Sequence, residues 1–235
     1  MTDDKTAPLH KQRRTPNLFG RTRGKKLRGV HSGLMAGLLP ALSIDVSAPI
    51  DPALLFAAPV DDLWLEIGFG GGEHLALEAL RNSRVGHIGA EPFVNGVAKA
   101  LALIAEHDFK NVRLHAGDAG AVIDALPAAS LGRVYLLYPD PWPKRRQVKR
   151  RFVSDDMLTR LARVMRPGAE LRFATDIDDY AGWTLARIAR SADFDWPAQS
   201  AADWMTPWEG WQPTRYEEKA RREGRGSAYL TFVRG

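Results

Sequence analysis

Five acidic residues stand at the ends of short apolar runs. Glu66 lies with Gly68 in LWLEIGF (63–69), Glu91 closes HIGAE, Asp118 closes NVRLHAGD, Asp140 follows RVYLLYP, and Asp176 closes ELRFATD. Carboxylates accept hydrogen bonds from hydroxyls and amines and attract cations. One acid after a strand is ordinarily a helix cap or a turn former. Five in succession at the same end of consecutive strands point to a lined site. A glycine loop, EIGFGGG (66–72), follows the first run and allows a ligand to approach the backbone closely. The segment LYPDPWPKRRQVKRR (137–151) joins a proline-stiffened acidic and aromatic loop to a dense basic run.

The glycine loop departs from the dinucleotide fingerprint GxGxxG. Counted from Gly68, that pattern requires glycine at 73, where the chain has Glu73. A pyrophosphate on the helix N-terminus would also be repelled by Glu66 and Glu73. This disfavours a nicotinamide dehydrogenase. An acidic rim suits a cation such as S-adenosylmethionine, which carries a sulfonium and an ammonium. Glu91 is placed to accept from ribose hydroxyls, and Asp118 to meet the adenine amino group. The ExGxGxG form with these acids resembles the class I methyltransferase pattern. That resemblance implies a Rossmann-like, mostly parallel seven-stranded sheet with helices on both faces and a final antiparallel strand.

The elements that must position these residues alternate. Strands are predicted at 63–69, 87–91, 111–118, 133–139, 170–176 and 227–233. Helices are predicted from Glu73 to Leu80, through Val97, Leu101 and Ile104, up to Pro127, from Ser154 through Leu158, Leu161 and Met165, and from Tyr180 to Arg190. Ser154 with Asp155 and Asp156 is a helix start, and Arg166-Pro167-Gly168 a stop. Pro40, Pro49, Pro52 and Pro59 break residues 31–60 into short helices or turns. Such alternation gives an α/β fold whose ligand sits at the carboxyl ends of the strands. Residues 1–30 are expected to be a basic, flexible segment, and residues 31–235 a single domain.

The chain of 235 residues has no cysteine, which excludes disulfides, thiolate nucleophiles and cysteine-ligated zinc. Six scattered histidines lack metal-binding spacing, so no metal is expected. No apolar run is long enough for a membrane span, and the N-terminal residues do not form a signal peptide; the expected compartment is the cytoplasm. The net charge of +5 hides an uneven distribution. Eight basic residues fall within 10–30 and six within 144–151, with no acid in either stretch; the rest of the chain has 19 basic residues against 28 acidic ones. Two basic segments on an acidic body favour a nucleic-acid partner.

In the proline loop, Tyr138, Asp140 and Trp142 each precede a proline and are predicted to be extended. That stiffness would preorganise Asp140 beside a donor methyl. The run Asp140-Pro141-Trp142-Pro143 departs from the Asp/Asn-Pro-Pro-aromatic motif of exocyclic-amine methyltransferases. Five tryptophans in the C-terminal third, Trp183, Trp196, Trp204, Trp208 and Trp211, are expected mostly to pack rather than to stack on bases.

Taken together, EIGFGGG (66–72), GAEPF (89–93), YPDPWPKRR (138–146), FATDIDDY (173–180) and TRYEEKA (214–220) resemble the bacterial tRNA (guanine-N7-)-methyltransferase family. The resemblance runs from about residue 60 to the end and weakens before residue 30. It implies an S-adenosylmethionine-dependent enzyme acting on tRNA at the guanosine numbered 46 in the variable loop. It implies donor contacts at Glu66, Gly68, Gly70, Glu91, Asp118 and Asp140, with Asp140 as the catalytic residue. It implies substrate contacts at Lys144, Asp176, Thr214, Arg215, Tyr216 and Glu217. The basic run Arg145, Arg146, Lys149, Arg150 and Arg151 is expected to meet the RNA backbone, with no obligatory protein partner. An RNA methyltransferase of the same fold acting on an exocyclic amine, and a non-catalytic RNA-binding protein, remain as alternatives.

Overall fold

The computed structural model describes residues 19–235, so the expectation for residues 1–18 lies outside the described residues. Two short helices come first, α1 (Val30–Gly37) and α2 (Leu39–Leu42), and a 3-10 turn spans Pro52–Leu54. The alternation then runs β1 (Asp62–Ile67), α3 (Glu73–Arg81), β2 (Val85–Ala90), α4 (Val94–His107), β3 (Val112–His115), α5 (Ala119–Ala125), β4 (Leu131–Leu137), α6 (Asp155–Val164), β5 (Met165–Thr175) and α7 (Asp178–Ile188). It ends with β6 (Phe194–Asp195), α8 (Ala202–Met205), α9 (Arg215–Arg222) and β7 (Ala228–Arg234).

The sheet has the order β3-β2-β1-β4-β5-β7-β6. The first five strands pair in parallel, and β7 runs antiparallel between β5 and β6. The central strands are buried on both faces, which is why they read as continuous apolar runs rather than alternating ones. Leu65, Ile88, Val134 and Phe173 are fully shielded. One core forms where α5, α6 and α7 cover the sheet, and a second where α3 and α4 pack beneath α1 and α2. Edge-to-face contact between Phe173 and Tyr180, with centroids 5.2 Å apart, ties β5 to α7. The strand order reverses between β1 and β4, so a crevice opens at their carboxyl ends.

Besides α8 and α9, where no helix is predicted, two elements differ from the sequence reading. Met165 continues the apolar spacing of Leu158 and Leu161, yet α6 ends at Val164 and Met165 opens β5, opposite Leu131. Pairing with a buried strand outweighs one more helical turn there. The two-residue strand β6 has no counterpart among the predicted strands; it is too short to show any alternation.

Candidate active site

Gly68, Gly70, Glu91, Asp118 and Asp140 line one cavity of about 770 Å³ at the carboxyl ends of β1, β2, β3 and β4. The glycine loop turns through left-handed Gly68 (φ 73°) and Gly70 (φ 57°), conformations that a side chain would strain. Glu91 holds the loop: its Oε2 accepts from Gly70 N–H at 2.8 Å and its Oε1 from Phe93 N–H at 2.8 Å. Each oxygen keeps a second lone pair for a ligand hydroxyl. Asp118 caps α5 by accepting from Gly120 N–H at 3.2 Å and faces the same cavity.

Burial raises the pKa of Glu91, and the nearby charges of Asp140 and Glu66 raise it further. The Asp140 side chain is accessible, yet the cavity walls displace enough water to raise its pKa as well. A cation in the cavity would relieve both penalties. A cradle of left-handed glycines with carboxylates short of solvation therefore fits the sulfonium donor expected from the sequence.

Glu66 is buried behind the loop and does not line the cavity; its Oε2 meets His74 Nδ1 at 2.8 Å. Glu73 carries a counter-ion, Arg215, at 3.1 Å. That bridge brings α9 against the start of α3, so the TRYE segment folds back to the mouth of the cavity, where Tyr216 forms part of the lining. Thr214 caps α9 by accepting from Glu217 N–H at 3.2 Å. The Glu217 side chain turns inward, accepting from Trp211 Nε1 at 2.7 Å, Tyr229 Oη at 2.7 Å and Arg221 Nη2 at 2.8 Å. Asp176 takes both Nε and Nη2 of Arg225 at 2.8 Å.

The proline loop corrects one expectation. Tyr138 (φ 49°) and Trp142 (φ 43°) are left-handed rather than extended. Such backbone costs of order 1–3 kcal/mol per residue and persists only where contacts hold it. Tyr138 Oη reaches Ser227 Oγ at 3.0 Å, and the Trp142 ring meets the edge of Phe19 at 6.4 Å.

In the basic run, Lys144, Arg145, Arg146 and Lys149 are exposed. The Arg150 guanidinium lies over Phe19 at 5.1 Å and Trp142 at 5.0 Å. Arg151 differs from its neighbours: its side chain is only 1% exposed, so it cannot meet an RNA backbone in this arrangement. Phe19 to Thr22, missed in the sequence, also line the cavity. They are anchored by Val94 N–H to Thr22 O at 3.0 Å, Gly24 N–H to Asn95 Oδ1 at 2.6 Å and Asn95 Nδ2 to Lys25 O at 2.7 Å. The signal that could have found them was Phe19 itself, the sole Phe, Trp or Tyr among the first thirty residues.

Among the described residues there is no cluster of three or more histidines or acids able to hold a metal ion, and no helix long and apolar enough to cross a membrane. Among solved structures, TrmN from Thermus thermophilus aligns with a TM-score of 0.53 at 12% identity, covering 78% of this chain and 47% of that one. A mutant of the 16S rRNA (adenine(1408)-N(1))-methyltransferase from Catenulisporales acidiphilia aligns at 0.50 and 14%, covering 74% and 85%. At such identities the likeness concerns the fold alone. Residues 61–230 match a family model described as "Putative methyltransferase". The tRNA (guanine-N(7)-)-methyltransferase of Nitrobacter hamburgensis is 55% identical over 220 residues, 93% of this chain and 86% of that protein. The protein of the same name from Brucella melitensis is 55% identical over 227 residues, 96% and 97% of the two chains. With this identity sustained over nearly its whole length, the chain belongs to the tRNA (guanine-N(7)-)-methyltransferase family.

Proposed function

We propose that the protein transfers a methyl group from S-adenosylmethionine to N7 of a guanosine in the variable loop of tRNA, the one numbered 46, in the cytoplasm. The observation that carries this reading is the meeting of Glu91, Asp118 and Asp140 in one cavity whose rim bears Lys149 and Arg150. Carboxylates there suit a cationic donor, and cations at the rim suit phosphate.

When bound, S-adenosylmethionine supplies an electrophilic methyl group on a sulfonium. Glu91 and Asp118 accept hydrogen bonds from its ribose and adenine, and Gly68 and Gly70 leave room against the backbone. Glu66 adds negative charge from behind the loop. Guanine N7 presents a lone pair and bears no proton, so Asp140 need not act as a base. Positive charge moves onto the guanine ring as the methyl arrives, and the Asp140 carboxylate stabilises it there. Lys144, Asp176 and the segment Thr214–Glu217 hold the nucleotide, with Tyr216 lining the cavity, Arg215 paired with Glu73 and Glu217 fixing the segment from inside. Arg145, Arg146, Lys149 and Arg150 attract the phosphate backbone.

An exocyclic amine as target is disfavoured by Trp142, which stands where that motif has a second proline. The test is incubation with unmodified tRNA and a donor labelled in its methyl group, followed by nucleoside analysis and mapping. Label in N7-methylguanosine of the variable loop supports the proposal. Label in an amine-methylated base, or none, refutes it.

A further inference from the structure

Arg151 ends the basic run, but its surroundings are those of a core residue. The guanidinium carbon lies over the rings of Tyr180 at 4.9 Å and Trp183 at 5.0 Å. Nε donates to the carbonyl of Pro141 at 2.8 Å. Nη1 reaches the Asp179 carbonyl at 3.4 Å, and Nη2 pairs with the Asp179 carboxylate. Pro141 directly follows Asp140 and has no backbone N–H, so its carbonyl is its only main-chain handle. Among the described residues, this is the hydrogen bond that ties residues 139–143 to the body of the protein. The loop needs such a tie, because left-handed Tyr138 precedes it and left-handed Trp142 lies within it.

We propose that Arg151 is a positioning residue for methyl transfer: it transmits the rigidity of α7 to the strained proline loop and so fixes Asp140 at the cavity wall. This rests on the reading of Asp140 given above. It also separates Arg151 from the exposed cations beside it, which face solvent and phosphate. Lysine cannot replace it, since an ammonium neither stacks as a plane nor donates in a fork.

The test compares Arg151→Lys, Asp140→Asn and the double variant, measuring kcat, KM for tRNA, donor affinity and the salt dependence of tRNA binding. Arg151→Lys is expected to lower kcat roughly 10- to 100-fold, the cost of displacing a reacting group by about 1 Å. KM for tRNA and the salt slope should stay as in the wild type. The double variant should turn over no more slowly than Asp140→Asn alone, because the arginine acts through that carboxylate. Asp179→Asn changes a partner whose side chain is 74% exposed, so it spares the core and should lower kcat with the same selectivity, even if Arg151→Lys proves unstable. Losses that multiply in the double variant would overturn the proposal. So would a normal kcat accompanied by a shallower salt slope. Wild-type turnover by Asp140→Asn would instead remove the role of Asp140 itself, and this proposal with it.

Discussion

Replacing Gly96 by alanine puts the donor site under a small, calculable strain. Gly96 lies in the first turn of α4, directly against the glycine loop. A Cβ there would overlap the Gly70 carbonyl oxygen and stand 3.0 Å from its carbon. The overlapped oxygen sets the requirement: ordinary Cβ contacts begin at 3.4 Å, so helix and loop must part by about 1 Å. The same movement stretches the 2.8 Å bond from Gly70 N–H to Glu91 past useful range. Hydrogen bonds to charged groups contribute about 1.5–3 kcal/mol. If donor binding must restore this geometry, its dissociation constant rises about 10- to 100-fold. Isothermal calorimetry with S-adenosylmethionine measures that rise, while tRNA binding, supported by exposed cations elsewhere, should hold. Lys99→Ala, at an exposed site on the same helix, is the control. A folded Gly96→Ala variant that binds donor with wild-type affinity would refute the reasoning that the loop geometry makes the site.

Other outcomes follow from the same geometry. Asp140 and Glu91 both bind their protons more tightly folded than unfolded, so each favours the folded chain below the ordinary carboxylate range and opposes it as pH rises through the folded value. A cationic donor prefers the ionised forms; its affinity should therefore fall with acidification at a pH above the usual Asp range, and Asp140→Asn should move that limb. A limb unmoved in calorimetry across pH would count against Asp140. Arg145→Ala with Arg146→Ala should flatten the slope of log affinity for tRNA against log salt by about 1.4–1.8, as two lost phosphate contacts require; an unchanged slope excludes these two. Glu217→Gln removes the charge shared by Trp211, Tyr229 and Arg221, and should destabilise the fold by about 1–3 kcal/mol in denaturant titrations. No change in stability would show that Glu217 does not hold the segment.

The strands bearing the acids were legible because their signals are local. Glycines end β1, Ser154 caps α6 by accepting from Met157 N–H at 3.2 Å, and apolar runs mark the buried strands. Of the five strand-end acids, Glu91, Asp118 and Asp140 line the cavity, while Glu66 and Asp176 do not; Asp124 and Asp156, which also line it, come from helices. What was hidden depends on contacts distant in sequence. Within KRRQVKRR nothing local distinguishes Arg151, buried against Tyr180 and Trp183, from exposed Arg145. Phe19 reads as part of a solvated basic tail until its contact with Trp142 is seen. The left-handed turns at Tyr138 and Trp142 run against the pre-proline rule, and only their tertiary partners reveal why.

The central claim is that a carboxylate-lined cavity holds the methyl donor beside Asp140. Crystals grown with S-adenosylhomocysteine test it most directly. Density should place the ribose on Glu91, the adenine by Asp118 and the sulfur facing the Asp140 loop. A ligand seated elsewhere, or with its sulfur turned away from Asp140, would contradict the account.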